Sequence, residues 1–146
     1  MNRLFALAFA ALSATATAAI AEEPVTYAFD GSFDDATFAL ENAIIGQGLV
    51  IDFTSHVGEM LNRTGADVGS AETIFDQAEI YLFCSAVTSR EVMEADPMNI
   101  QHCPYGIFVT EAQGEVMIGH RAYPDDTMSP VRSLLTGIVE EAGGTR

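Results

Sequence analysis

The sequence has no lysine and no tryptophan, and it holds only two cysteines and three histidines in 146 residues. Its six basic residues are therefore all arginines, against 21 acids, and the formal charge is −15. Without a basic cluster the expectation is no nucleic-acid binding, because phosphate neutralisation supplies most of that affinity. Adhesion to anionic lipid is disfavoured for the same reason. Beyond residue 21 no run is long and apolar enough to span a bilayer. There is no internal repeat and no low-complexity linker. The acids are scattered, so they read first as a solvated surface, with attraction to a basic protein partner as the functional alternative.

What is present begins with a leader. Arg3 is the only charge before Glu22, and Leu4 to Ile20 is apolar or small. Ala19-Ile20-Ala21 has the small-x-small pattern of a signal-peptidase site. Residues 1–21 thus read as a cleavable signal peptide, and 22–146 as one domain in a periplasmic or secreted protein. An uncleaved anchor is the rival reading, weakened by the Ala, Ser and Thr content of the segment. No cysteine lies near residue 21, which argues against a lipid anchor.

The domain alternates helical and strand patterns. Thr26–Phe29 reads as a strand. Ser32-Phe33-Asp34-Asp35 is a capping-box start, followed by Phe33, Ala36, Leu40, Ala43 and Ile44 at helical spacing. Leu49–Phe53 and Glu79–Cys84 read as strands, with a short helix between them capped by Ser55 and carrying Val57, Met60 and Leu61. A loop covers Val68–Asp76. Ser85–Ala95 reads as a helix stopped by Asp96-Pro97, and Asn99–Pro104 as a connector. Tyr105–Thr110 and Glu115–Tyr123 read as the strands of a hairpin around Gln113-Gly114. A last helix opens at Ser129 as N-cap with Pro130 at N1, and Val131, Leu134, Leu135, Ile138 and Val139 form its apolar stripe. The expected fold is α+β, a two-layer sandwich with helices on one face of a mixed β-sheet.

Chemistry-bearing residues are few. Cys84 ends a strand and Cys103 precedes another. In an oxidising compartment an even count suggests a disulfide, contributing about 3 kcal/mol for a loop of this length. Cys84 also lies just ahead of a helix, where the dipole favours a thiolate. His102 is beside Cys103, and Met93 and Met98 are near in sequence. Thiolate, imidazole and thioether suit copper, and thiolate with imidazole suits zinc or haem iron. A metal site of Cys84, Cys103 and His102 is one reading, with His56, Met93 and Met98 as accessory positions. Ordinary packing is the simpler account of the methionines. His56 at a strand-to-helix turn reads as solvated, and His120 as a core or sheet-edge residue. Arg90 and Arg121 read as partners of nearby acids. Gly46-Gln47-Gly48 ends a helix, which is the reverse of a dinucleotide loop. Asp34-Asp35 and Asp125-Asp126 fall where caps and turns favour acids.

Several motifs taken together resemble the domain of unknown function family numbered 302, from Tyr27 to about Tyr123. They are Ser32-Phe33-Asp34, Gly48-Leu49-Val50, Phe83-Cys84, Met93-Glu94-Ala95-Asp96-Pro97, and Cys103 leading into Tyr105-Gly106-Ile107-Phe108-Val109. Ser85-Ala86 replace the family's usual Asn-Pro after the first cysteine. His102 and Pro104 replace its Pro and Asn around the second. The resemblance implies a compact α+β domain, a homodimer and a shared thiol site at the cysteine pair, with no established reaction. Three functional expectations remain open. The first is an exported binding or accessory domain taking a soft metal, haem or a sulfur compound. The second is a disulfide-stapled interaction domain without catalysis. The third is a thiol redox enzyme, meeting a redox protein partner, with Cys84 as nucleophile and Cys103 as resolving thiol.

Overall fold

A computed structural model describes residues 23–124 and 126–146. The leader read at 1–21 lies outside the described residues, as does Asp125. The first element is the strand β1 (Val25–Phe29). It leads into α1 (Phe33–Gly46), whose capping box forms as expected. Ser32 Oγ accepts from the Asp35 N–H at 3.1 Å, and the Asp35 carboxylate accepts from the Ser32 N–H at 3.2 Å. The Ser32 hydroxyl also donates to that carboxylate at 2.6 Å, and this bond, with the one from the Ser32 N–H, holds the Asp35 carboxyl below its ordinary value. Phe33, Ala36, Leu40, Ala43 and Ile44 are the buried face, the same five positions the spacing selects.

The chain continues through β2 (Val50–Ser55), α2 (Val57–Thr64) and β3 (Gln77–Cys84). It then forms α3 (Ala86–Ala95), a short 3-10 segment (Pro97–His102), β4 (Tyr105–Ala112), β5 (Glu115–His120) and α4 (Ser129–Glu141). The β4–β5 hairpin turns at Gln113 and Gly114, both with positive φ. That is the turn geometry two-residue hairpins favour. Two helix starts differ from expectation. His56, not Ser55, precedes α2, and it makes no capping bond because its ring turns to Glu79. Met128 caps α4, so Ser129 and Pro130 each lie one position further in.

The strands form one sheet in the order β1-β5-β4-β3-β2. The α+β class holds, but the sheet is antiparallel at every pairing rather than mixed. The reason lies in the connections. From β2 onward each one folds the chain back beside the strand it has just left, which reverses direction. Only the α1 crossover joins strands running the same way, and those occupy opposite edges and never pair.

The core lies on one face of the sheet, under α1 and α4. Tyr27, Phe83, Ile107, Val109 and Ile118 point into it from the strands, and Leu40, Ile44, Leu135 and Ile138 from the helices. Each full burial of such a side chain contributes roughly 1.5–3 kcal/mol. The other face is also partly apolar. Ile80, Leu82 and Phe108 alternate with the core residues of their strands, and Phe53 and Met117 are well exposed. Phe108 lies over Gly119, where any Cβ would meet its ring at 2.5 Å. At the start of β3, Gly58 brings α2 against the strand, since a Cβ there would stand 2.5 Å from the Ala78 nitrogen. Among the described residues no helix is long and apolar enough to cross a membrane.

Candidate functional site: a dithiol at the strand ends

Register brings the two cysteines together. Phe83 pairs with Tyr105, so Cys84, one residue on, lies beside the segment that holds Cys103. Both are free thiols and both are partly exposed. Ser85, not Cys84, caps α3, with its Oγ accepting from the Thr88 N–H at 3.2 Å. The helix end is therefore already served, and Cys84 gains no activation from it. Burial pushes the Cys84 thiol up to about 12, and the adjacent Cys103 and the Asp52 carboxylate add to this. An N–H from Tyr105 opposes the shift without reversing it. The expectation of a low-pKa nucleophile at Cys84 is thus reversed, because burial and neighbouring negative charge outweigh the helix.

Around the thiols stands a cluster of aromatic and imidazole rings. His102 meets Tyr123 edge-on at 5.5 Å between centroids, and Tyr105 meets it at 6.4 Å. His120 stacks on the same ring at 6.5 Å. Tyr105 Oη is 3.0 Å from Ser89 Oγ. Its pKa is raised chiefly by burial, against that hydrogen bond, with the charges of both cysteines adding. Burial pushes the Tyr123 phenol up to about 12 and draws His120 down.

Two polar atoms in this cluster are buried without a partner. His120 is 1% exposed. Its Nδ1 lies 2.8 Å from the Arg121 carbonyl, but its Nε2 makes no hydrogen bond. Tyr123 is 2% exposed, and its hydroxyl makes no hydrogen bond of ordinary geometry, though the Gly106 N–H leans towards it. An unpaired buried group costs about 1–3 kcal/mol. The expected core placement of His120 is correct, but its hydrogen bonding is only half complete.

The wider set expected from sequence does not assemble. Among the described residues no three His, Cys, Asp or Glu side chains converge on a point a metal ion would occupy. Cys84, Cys103 and His102 do not form such a group, and His102 meets the Tyr123 ring instead. Met93 packs against the core and Met98 is 64% exposed. His56 lies towards the opposite end of β3, roughly 15 Å away at the rise of a strand. There its Nδ1 lies 2.7 Å from Glu79 Oε1, and the other carboxylate oxygen accepts from Tyr81. His56 also lines a cleft of about 190 Å³ with Glu59, Asn62 and Asp76, clear of the cysteines. Arg90 pairs with Glu94 at 2.9 Å, the simple account expected of it. Sequence reasoning passed over Tyr123. Read as the end of the second hairpin strand, it stands instead in the loop after β5, which ends at His120, and no periodicity there marks a residue as buried.

The comparisons agree with this fold. A crystal structure titled "uncharacterized conserved protein DUF302 from Bacillus stearothermophilus" superposes with a TM-score of 0.60 at 15% identity. The match covers 82% of this chain and 92% of that one, and at this identity it establishes the fold alone. No curated protein matches the chain. The family model described as "Domain of unknown function DUF302" matches residues 25–141, which span every strand and helix from β1 to α4. The chain belongs to the DUF302 family.

Proposed function

We propose that this is an exported accessory domain whose working part is the Cys84–Cys103 dithiol, and that it exchanges with sulfur compounds between a reduced and a disulfide form. The observation that carries the reading is the contact of two free, partly exposed thiols held by neighbouring strand ends. Thiols so placed can bridge with little backbone movement, and partial exposure admits a small reactant. Of the ligand classes considered, a sulfur compound needs only the two thiols. A zinc or copper site of the usual protein kind would need further ligands. A permanent disulfide staple is the competing role, and it predicts a bond that resists reduction.

The protein is to be isolated from the exported fraction without added reductant, then assayed by intact mass, thiol titration, elemental analysis and a visible spectrum. The reading expects a dithiol or a disulfide that a thioredoxin-type donor reduces readily, with no stoichiometric metal and no haem band. A disulfide that withstands such a donor would leave only the staple. Two thiols carrying one equivalent of metal would move the assignment to a metal carrier.

A further inference from the structure

Resting on the dithiol reading, we infer that the sulfur compound is a cysteine of another protein, held in a disulfide. That cysteine is presented on an extended apolar segment, which lies along the uncovered face of the sheet from a hollow lined by Val57 and Phe75 to Cys84.

Register builds this face. Tyr81 and Phe83 point into the core, so strand alternation turns Ile80, Leu82 and Cys84 to the other side. Phe108 pairs with Ile80, and Gly106 with Leu82, which continues that side onto β4. On β2, Val50 pairs with Cys84 and Phe53 with Leu82, and these two side chains are 72% and 60% exposed. Met117, opposite Thr110, borders the other flank and is also exposed. The result is an apolar lane along β3 and β4. It is lowest at Gly106, where an added Cβ would meet Leu82 at 3.2 Å. At the far end Val57 and Phe75 stand with Ala78, Ile80, Phe108 and Thr110 around an apolar hollow of about 260 Å³. Glu79 also borders the hollow, but His56 and Tyr81 hold its carboxylate.

Contiguous exposed apolar surface with a polar rim marks an interaction site. Two observations say what occupies it. The first is the sulfur at its end. Cys84 is a free thiol four strand positions beyond Ile80, roughly 13 Å at the rise of a strand. A small hydrophilic disulfide uses none of that length. An extended segment uses all of it, with one apolar side chain in the hollow and its cysteine four positions away at the thiol pair. The second is charge. The charged side chains of β2 to β5 are Asp52, Glu79, Glu111 and Glu115, with no lysine or arginine among them. Asp52 and Glu115 are exposed at the rim. A second copy of this chain would bring the same acids to the same rim, whereas a segment flanked by basic residues is complementary to it.

The exchange converts two cysteine thiols and the partner's disulfide, peptide–S–S–R, into the Cys84–Cys103 disulfide, the peptide thiol and RSH. One thiolate of the pair breaks the S–S bond and forms a mixed disulfide, and the other displaces the remaining sulfur. The two protons lost by the pair end on the two released thiols. The pair gives up two electrons and the partner's disulfide takes up two.

The test uses the reduced domain and two arginine-flanked peptides, each with a central cysteine in a mixed disulfide with mercaptoethanol. One carries leucines two and four positions from the cysteine. The other holds the same residues with the leucines one and three positions away. Bis(hydroxyethyl) disulfide is the small probe, and intact mass follows the protein disulfide. The first peptide should react at least about tenfold faster than the second peptide and the small probe. Phe53→Ser and Phe75→Ser, both outside the core, should each slow the first peptide about fivefold, with the small-probe rate and the circular dichroism spectrum unchanged. Equal rates for the two peptides, or a substitution that slows the small probe as much as the first peptide, would overturn the proposal and leave the dithiol reading standing. So would sedimentation of the domain as a dimer that Phe53→Ser dissociates, because a second copy would then hold the face. Absence of a protein disulfide with all three probes would remove the dithiol reading, and this proposal with it.

Discussion

At the Glu79 end of β3 the polar groups answer one another. His56 and Tyr81 bond to separate oxygens of one carboxylate, and Gln77 reaches Glu111 across the β3–β4 pair at 3.0 Å. At the Cys84 end, one residue beyond the register pair Phe83 and Tyr105, the reverse holds. Two free thiols adjoin a ring cluster in which a phenol and an imidazole nitrogen are buried and unpaired. Both ends contain titratable groups, and both would attract attention in a sequence scan. Their hydrogen-bond balance separates them. A closed network contributes to stability, whereas an incomplete one is held at a cost.

The largest expected effect is at the closed end. Gly58→Val would drive side-chain atoms into the Ala78 backbone and push α2 off β3, with a loss of about 3 kcal/mol in urea denaturation. Glu79→Ala leaves the core-facing Tyr81 phenol without its acceptor, for a loss of about 2 kcal/mol. Tyr123→Phe removes an unpaired hydroxyl and should gain about 1 kcal/mol, opposite in sign to the Glu79 change. If Tyr123→Phe is instead destabilising by a similar amount, the two ends do not differ as described.

The smallest effect is an alkaline one. The folded protein holds the Cys84 proton up to about 12, whereas an unfolded thiol releases it near 8.5. Stability from this source is complete below the unfolded value and is lost as pH rises through the folded one. Cys84→Ser should therefore flatten the fall in urea midpoint across that window. The change is well under the ~1.4 kcal/mol per pH unit that one fully coupled proton allows, because Cys84 is partly exposed and solvent screens it.

Much of the fold is legible in the sequence because its signals are local. The Ser32 capping box and the stripe from Val131 to Val139 are each read within one helix, and the structure has both. Ser55 was a reasonable cap for α2, but Glu79, 23 residues away from His56, decides how that turn is made. Strand direction was not legible, since pairing depends on how each connection returns the chain. Cysteine count and strand ends were enough to find Cys84 and Cys103. The surroundings of the thiols were not accessible, because they rest on the burial of Cys84 and on the packing around the Tyr123 hydroxyl. Both are properties of packing between distant segments.

The central claim is that the open end of β3 carries a reversible dithiol. Its most direct test is the intact mass of the unsubstituted domain equilibrated in a graded series of glutathione buffers. The account predicts conversion from two thiols to one intramolecular disulfide within that series, recovered fully on return to reduced glutathione. Persistence of both thiols in oxidised glutathione alone, or a disulfide that no buffer in the series reduces, would contradict it.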